Sequence, residues 1–161
     1  MAEQQGEQPA SVDIAVVDTV IVSAILVGTQ RAREAEMLNR YGIHLRGISL
    51  ALSFATVSEL RYGSLKGGWG TARKPRMEDW FSQAVTIVMP DNDLVNVCAS
   101  LRDKCRRQGH ALSEKIHDSD RWIASTAIRY DLPLISDDRI FRDVPDLVLL
   151  QEEMPAEHQP S

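Results

Sequence analysis

The chain has 161 residues, 43% of them hydrophobic and 25% charged, enough apolar content for one core and too much for a disordered or collagen-like chain. The longest apolar stretch, 12–27, is interrupted by Asp13, Asp18 and Ser23, and the leading MAEQQGEQPA has neither a basic start nor an apolar centre; no membrane span and no signal peptide are expected. The net charge of −5 belongs to the ends, because Glu3, Glu7, Glu152, Glu153 and Glu157 lie outside 13–150 and that interval holds 18 acids against 18 lysines and arginines.

Residues 1–12 and 151–161 are polar and rich in Pro, Gln and Glu, and are expected to be flexible tails around one domain over 13–150. The run DIAVV at 13–17 predicts a buried strand, with a helix from about Thr19 and a second helix over 31–40. Residues 50–55 predict the second strand and 57–66 a helix. Gly67-Gly68-Trp69-Gly70 is a loop, 77–84 a helix and 85–88 a short strand. Residues 91–108 predict a long helix that Gly109 stops. A helix over 118–130 then precedes two last strands, 134–135 and 147–150. Strands separated by helices specify an α/β fold with a parallel sheet covered on both faces. Cys98 and Cys105, seven apart on one helix, have Cα atoms ~10.5 Å apart, too far for a disulfide. Two reduced thiols suit a reducing compartment, and the cytoplasm is expected.

A sheet of this kind binds ligands outside the carboxyl ends of its strands, and acids recur there. Asp18 immediately follows the first strand. Glu59 lies in the first turn after the second, Asp138 sits in the turn SDDR after the fourth, and Asp120 opens the helix before it. Each has an ordinary local role as well. Asp18 suits a helix cap and Thr56-x-x-Glu59 fits a capping box. Asp118 and Asp120 suit a helix dipole, and Asp137 and Asp138 are turn residues.

Asp120 resists that reading most. It shares a helical face with Ile123, Ala124, Ala127, Ile128 and Asp131, while Ser125, Thr126 and Arg129 take the other side. A carboxylate at the head of an apolar stripe is costly unless a cation or hydrogen bonds meet it. Four carboxylates at one rim repel one another, and a divalent ion resolves the conflict. Hard oxygen ligands without a His or Cys cluster select Mg²⁺ or Mn²⁺ over Zn²⁺. The chemistry so implied is phosphodiester hydrolysis by metal-activated water.

Three stretches, VVDTVIVSAIL, LSFATVSELRYGSLKG and HDSDRWIASTAIRYDLPLISDDRIFRDVPDLVLL, resemble the PIN-domain family, most closely its VapC-type toxin ribonucleases. The resemblance covers about 13–150. It implies a five-stranded parallel sheet with helices on both faces. It also implies Mg²⁺- or Mn²⁺-dependent endoribonuclease activity, a homodimer, and inhibition by a cognate antitoxin. Residue by residue, it assigns the acidic site to Asp18, Glu59, Asp120 and Asp138, with Asp118 as either an extra ligand or a residue supporting the ligands from behind. Thr19 and Ser136 match hydroxyl positions that orient ligands or water. One departure is Val20, where many relatives carry a small polar residue.

Other features read less sharply. Arg73, Lys74 and Arg76 beside the glycine loop are candidate RNA phosphate contacts, with Trp69 as a stacking partner for a base or another protein. Arg102, Lys104, Arg106 and Arg107 suit a helix C-terminus, and Trp122 suits packing. His117 lies beside Asp118 but has no paired ligand spacing, so it reads as incidental. The glycine loop lacks a P-loop's Lys-Ser/Thr. A haloacid-dehalogenase site needs D-x-D where this chain has Asp18-Thr19-Val20, and a receiver domain needs a late Lys where none follows Lys115. The rival from another class is a non-catalytic RNA-binding or protein-interaction module on the same scaffold.

Overall fold

A computed structural model describes residues 13–27, 40, 42, 47–83 and 85–150. Both expected tails, and the expected helix over 31–40 apart from Arg40, lie outside the described residues. Four strands, β1 (Ile14–Val17), β2 (Ser49–Ser53), β3 (Val85–Val88) and β4 (Leu134–Ile135), form one sheet in the order β3-β2-β1-β4. Every pairing is parallel: Val16 lies opposite both Ala51 and Leu134, and Ser53 opposite Val88. The helices are α1 (Thr19–Val27), α2 (Phe54–Lys66), α3 (Arg73–Gln83), α4 (Asn92–Arg107) and α5 (Asp118–Arg129).

Successive strand residues point to opposite faces, and the core divides accordingly. Ala15, Val17, Leu52 and Ile135 pack with Ile21 of α1, Val57 of α2, and Met77 and Phe81 of α3. Val16, Ala51 and Leu134 pack on the other side with Leu101 of α4 and Ile123 and Ala124 of α5. A sheet covered on both faces must bury both sets of side chains, which is why these short strands read as continuous apolar runs. Among the described residues, no helix is long and apolar enough to cross a membrane.

The sheet has four strands, not the expected five. The run 147–150 contributes a single bridge, Leu134 to Leu149, through Leu134 N to Val148 O and Leu150 N to Leu134 O, both 2.9 Å. The neighbour it would pair with, β4, is only two residues long and follows Pro133, which has no N–H to donate. Left-handed backbone at Asp143 and Asp146 also turns the chain immediately before the run.

Two helices start earlier than the periodicity indicates. Helix α2 begins at Phe54 because Ser53 caps it, its hydroxyl accepting from Ala55 N at 3.3 Å. Thr56 is thus buried inside the helix with no partner for its hydroxyl, and the capping box with Glu59 does not form. Ser53→Ala is expected to destabilise the fold by about 1 kcal/mol, read as a fall in Tm of roughly 2–4 °C; an unchanged melting curve would refute the cap. Helix α3 begins at Arg73. Pro75 is tolerated in its first turn, where N–H groups have no intrahelical acceptor.

Helix α4 conforms to expectation. Asp91 caps it by accepting from Leu94 N at 2.7 Å, and Gly109 follows its end at φ +67°. Cys98 and Cys105 are buried on it as free thiols. Helix α5 is buried more completely than its stripe indicates, since Ser125 and Thr126 are inaccessible too. Their hydroxyls donate to the carbonyls of Arg121 (2.6 Å) and Trp122 (2.8 Å). This back-bonding lets the two hydroxyls enter the core without being orphaned.

Candidate active site

From β1 the chain steps outward to β2 and β3, then returns to the other flank of β1 as β4. The order reverses between β1 and β4, so the crevice beyond their carboxyl ends is the place for a ligand. A cleft of about 350 Å³ lies there. Asp18, Glu59, Asp120 and Asp138 line it together with Thr19, Val20, Tyr62 and Ile123. No lysine or arginine is among these lining residues.

Asp18 is buried at the end of β1. One carboxylate oxygen accepts from Ile21 N at 3.0 Å, and the other accepts from the Ser136 hydroxyl. The residue therefore caps the start of α1 and belongs to the cleft. Burial pushes its carboxyl up from 3.8 to about 6, and the charges of Asp138 and Asp120 add to the rise. The hydrogen bonds from Ser136 and Ile21 oppose it.

Glu59, one turn into α2, accepts from the Thr19 hydroxyl. Asp138 follows β4. Its own N–H donates to Ser136 Oγ at 3.0 Å, and its Oδ1 caps the next short turn through Ile140 N at 3.0 Å. Thus Ser136 links Asp18 to the Asp138 loop, and Thr19 steadies Glu59. Burial also raises the Asp120 carboxyl. A hydrogen bond with His117 counters this, while Asp138 and Glu59 add like-charge repulsion.

The donor chemistry, four carboxylates in one cleft without a lysine or arginine, fits a hard divalent cation. Among the described residues, no three His, Cys, Asp or Glu side chains form a group that could hold a metal ion, so an ion here would complete its shell with water.

The PIN domain family model matches residues 15–147. This chain belongs to the PIN domain family. Among solved structures it is similar to VapBC2 from Rickettsia felis bound to a DNA fragment from the promoter (TM-score 0.64, 20% identity, 87% of this chain and 99% of that one). It is also similar to VapBC-1 from nontypeable Haemophilus influenzae (TM-score 0.62, 20% identity, 86% and 97% covered). FitAcB from Neisseria gonorrhoeae matches with TM-score 0.59 and 20% identity over 86% and 96%. At such identities the likeness is one of fold. No curated protein matches the sequence.

Not every candidate of this PIN domain reaches the cleft. Asp118 pairs instead with Arg121, whose buried guanidinium also donates to the carbonyls of Leu112 (2.7 Å) and Glu114 (3.2 Å). Arg73, Lys74 and Arg76 lie in the first turns of α3 and do not line the acidic cleft. Arg73 stacks over the Trp69 ring at 3.9 Å. Arg73 and Arg76 border a separate cavity of about 230 Å³ with Trp69, Trp80, Ile25 and Leu26. The basic run on α4 is tied down by Asp103, Asp146 and the Ser113 carbonyl. Trp122 packs edge-on against Phe54, with ring centroids 5.2 Å apart.

Three residues of the site were not candidates by sequence for this role. His117 Nδ1 lies 2.9 Å from Asp120 Oδ2. Its i, i+3 relation to Asp120 was visible, but ligand spacing is the wrong signal for a residue that contacts another side chain. Tyr62, one turn beyond Glu59, is 65% exposed at the cleft, and Val20 is 54% exposed. Val20 therefore presents an apolar surface at the mouth of the site.

Proposed function

We propose that this PIN domain is a Mg²⁺- or Mn²⁺-dependent endoribonuclease that acts as the toxin of a toxin–antitoxin pair. The observation that carries the reading is the acidic cleft at the strand-order reversal, with Asp18, Glu59, Asp120 and Asp138 on its wall and no cationic side chain among them. A pure binder of polyanions gains nothing from that arrangement, whereas a site that holds a dication needs it. Similarity in fold to the VapBC complexes supports a protein antitoxin as partner.

A divalent ion held by these acids polarises a phosphoryl oxygen and lowers the pKa of a bound water. The chain's own residues prepare the place. Asp18 is clamped by Ser136 and the Ile21 amide, Glu59 is held by Thr19, and Asp120 by His117. Among the described residues no cation lines the wall, so none of them offers the phosphodiester a salt bridge inside the cleft. Arg73 and Arg76 border another cavity, so with Lys74 beside them they serve the RNA backbone outside the acidic cleft.

The test is cleavage of total RNA by the purified chain with Mg²⁺, with Mn²⁺ and with EDTA. Asp120→Asn is expected to lower the metal-dependent rate by more than ~100-fold, since even outer partners of a metal site are worth about 10–100-fold. Full activity in that variant would overturn the mechanism. Absence of carboxylate-dependent metal binding would favour the non-catalytic scaffold.

A further inference from the structure

We propose that His117 is a positioning residue for the metal-binding carboxylate of Asp120; the inference rests on the metal-dependent reading above. Both side chains are about 30% exposed, so water competes only partly for the 2.9 Å contact between Nδ1 and Oδ2. An ionised carboxylate only accepts, so the hydrogen of this bond sits on Nδ1. One oxygen of Asp120 is thereby occupied, and Oδ1 has no protein partner among the described residues. A carboxylate held by one oxygen presents the other in a fixed direction, the service that partners of metal ligands commonly perform.

The backbone around His117 supports the assignment. It is the residue before α5, in the cap position, where a side chain would ordinarily accept from the exposed helical N–H groups. Its imidazole makes no such cap bond, and turns to Asp120 instead. The turn that carries it is fixed from beneath. His117 N donates to Glu114 O at 3.1 Å, and that same carbonyl accepts from the buried Arg121 guanidinium. Arg121 also takes Asp118, so of the two acids in the first turn of α5 only Asp120 serves the cleft.

The experiment titrates Mn²⁺ against the full chain and reads free Mn²⁺ by its electron paramagnetic resonance signal. The variants are His117→Ala, His117→Asn, His117→Gln and Asp120→Asn. Asparagine carries an amide N–H near the position of Nδ1, while glutamine carries it near Nε2. His117→Ala and His117→Gln are expected to weaken Mn²⁺ binding by about 10-fold or more. His117→Asn should stay close to wild type, and metal-free melting temperatures should change little across the His117 series. Wild-type affinity in His117→Ala, or an Asn variant as weak as the Ala variant, overturns the positioning role. A wild type that binds no Mn²⁺, or an Asp120→Asn variant that binds it equally well, overturns the metal reading itself and this inference with it.

Discussion

Asp18→Asn is expected to make the protein more stable at neutral pH while it removes the proposed nuclease activity. A buried acid whose carboxyl is raised from 3.8 to about 6 holds its proton more tightly folded than unfolded. Stability of the wild type therefore falls as pH rises from about 4 to about 6, and stays low above that. The shift corresponds to up to about 3 kcal/mol. Asparagine keeps the shape and can still accept from Ile21 N, but has no charge to desolvate. In EDTA at pH 7.5 its Tm should exceed wild type by roughly 6–12 °C, and the gain should shrink toward zero near pH 4. Cleavage of RNA should fall by more than ~100-fold. Equal melting temperatures at pH 7.5 would contradict the burial argument, and retained cleavage would contradict the site.

The second large effect is expected at a residue outside the cleft. Arg121 is 4% exposed, and its guanidinium holds the Leu112 and Glu114 carbonyls and Asp118. Arg121→Ala leaves the buried Leu112 carbonyl without its donor, worth about 1–3 kcal/mol, takes one of two donors from the Glu114 carbonyl, which keeps His117 N, and opens space along the arginine stem. A loss of about 3 kcal/mol or more follows, seen as a Tm lower by roughly 6–12 °C. Asp118 is about half exposed, so water resolvates it and the ion pair itself adds little. Asp118→Ala should accordingly cost far less than Arg121→Ala in the same melt; comparable losses would show that the pair, not the carbonyls, carries the stability.

Much of the fold and the acidic rim was legible because both follow from short-range rules. Strand β1 is an unbroken apolar run, and an acid directly after such a run must lie at the carboxyl edge of a parallel sheet. Glu59 and Asp138 were legible for the same reason. What escaped was set by contacts across the chain. The start of α2 depends on Ser53, which propensity assigns as readily to the strand. The fifth strand dwindles to one bridge because its neighbour has only two residues to offer. The apolar stripe set Asp120 apart from Asp118 in the sequence, but the partner that takes Asp118 was not legible: Arg121, held by the Leu112 and Glu114 carbonyls, sits there through contacts across the chain. Arg73 and Arg76, read from the sequence as phosphate contacts beside the glycine loop, lie on an earlier helix start that puts them against a cavity with Trp69 and Trp80.

The link between Asp18 and residues 136–138 has a consequence for how the protein is made. The first strand lies beside the last, and a single hydroxyl, from Ser136, joins an acid to a loop 118 residues later in the chain. A chain still emerging from the ribosome through β3 carries Asp18 and Glu59 but neither Asp120 nor Asp138. Pairing of such distant segments is slow, because the loop-closure entropy comes due before the contacts form. The cleft is therefore incomplete until β4 and residues 136–138 have been made, so its four acids meet only once almost all of 13–150 has been synthesised.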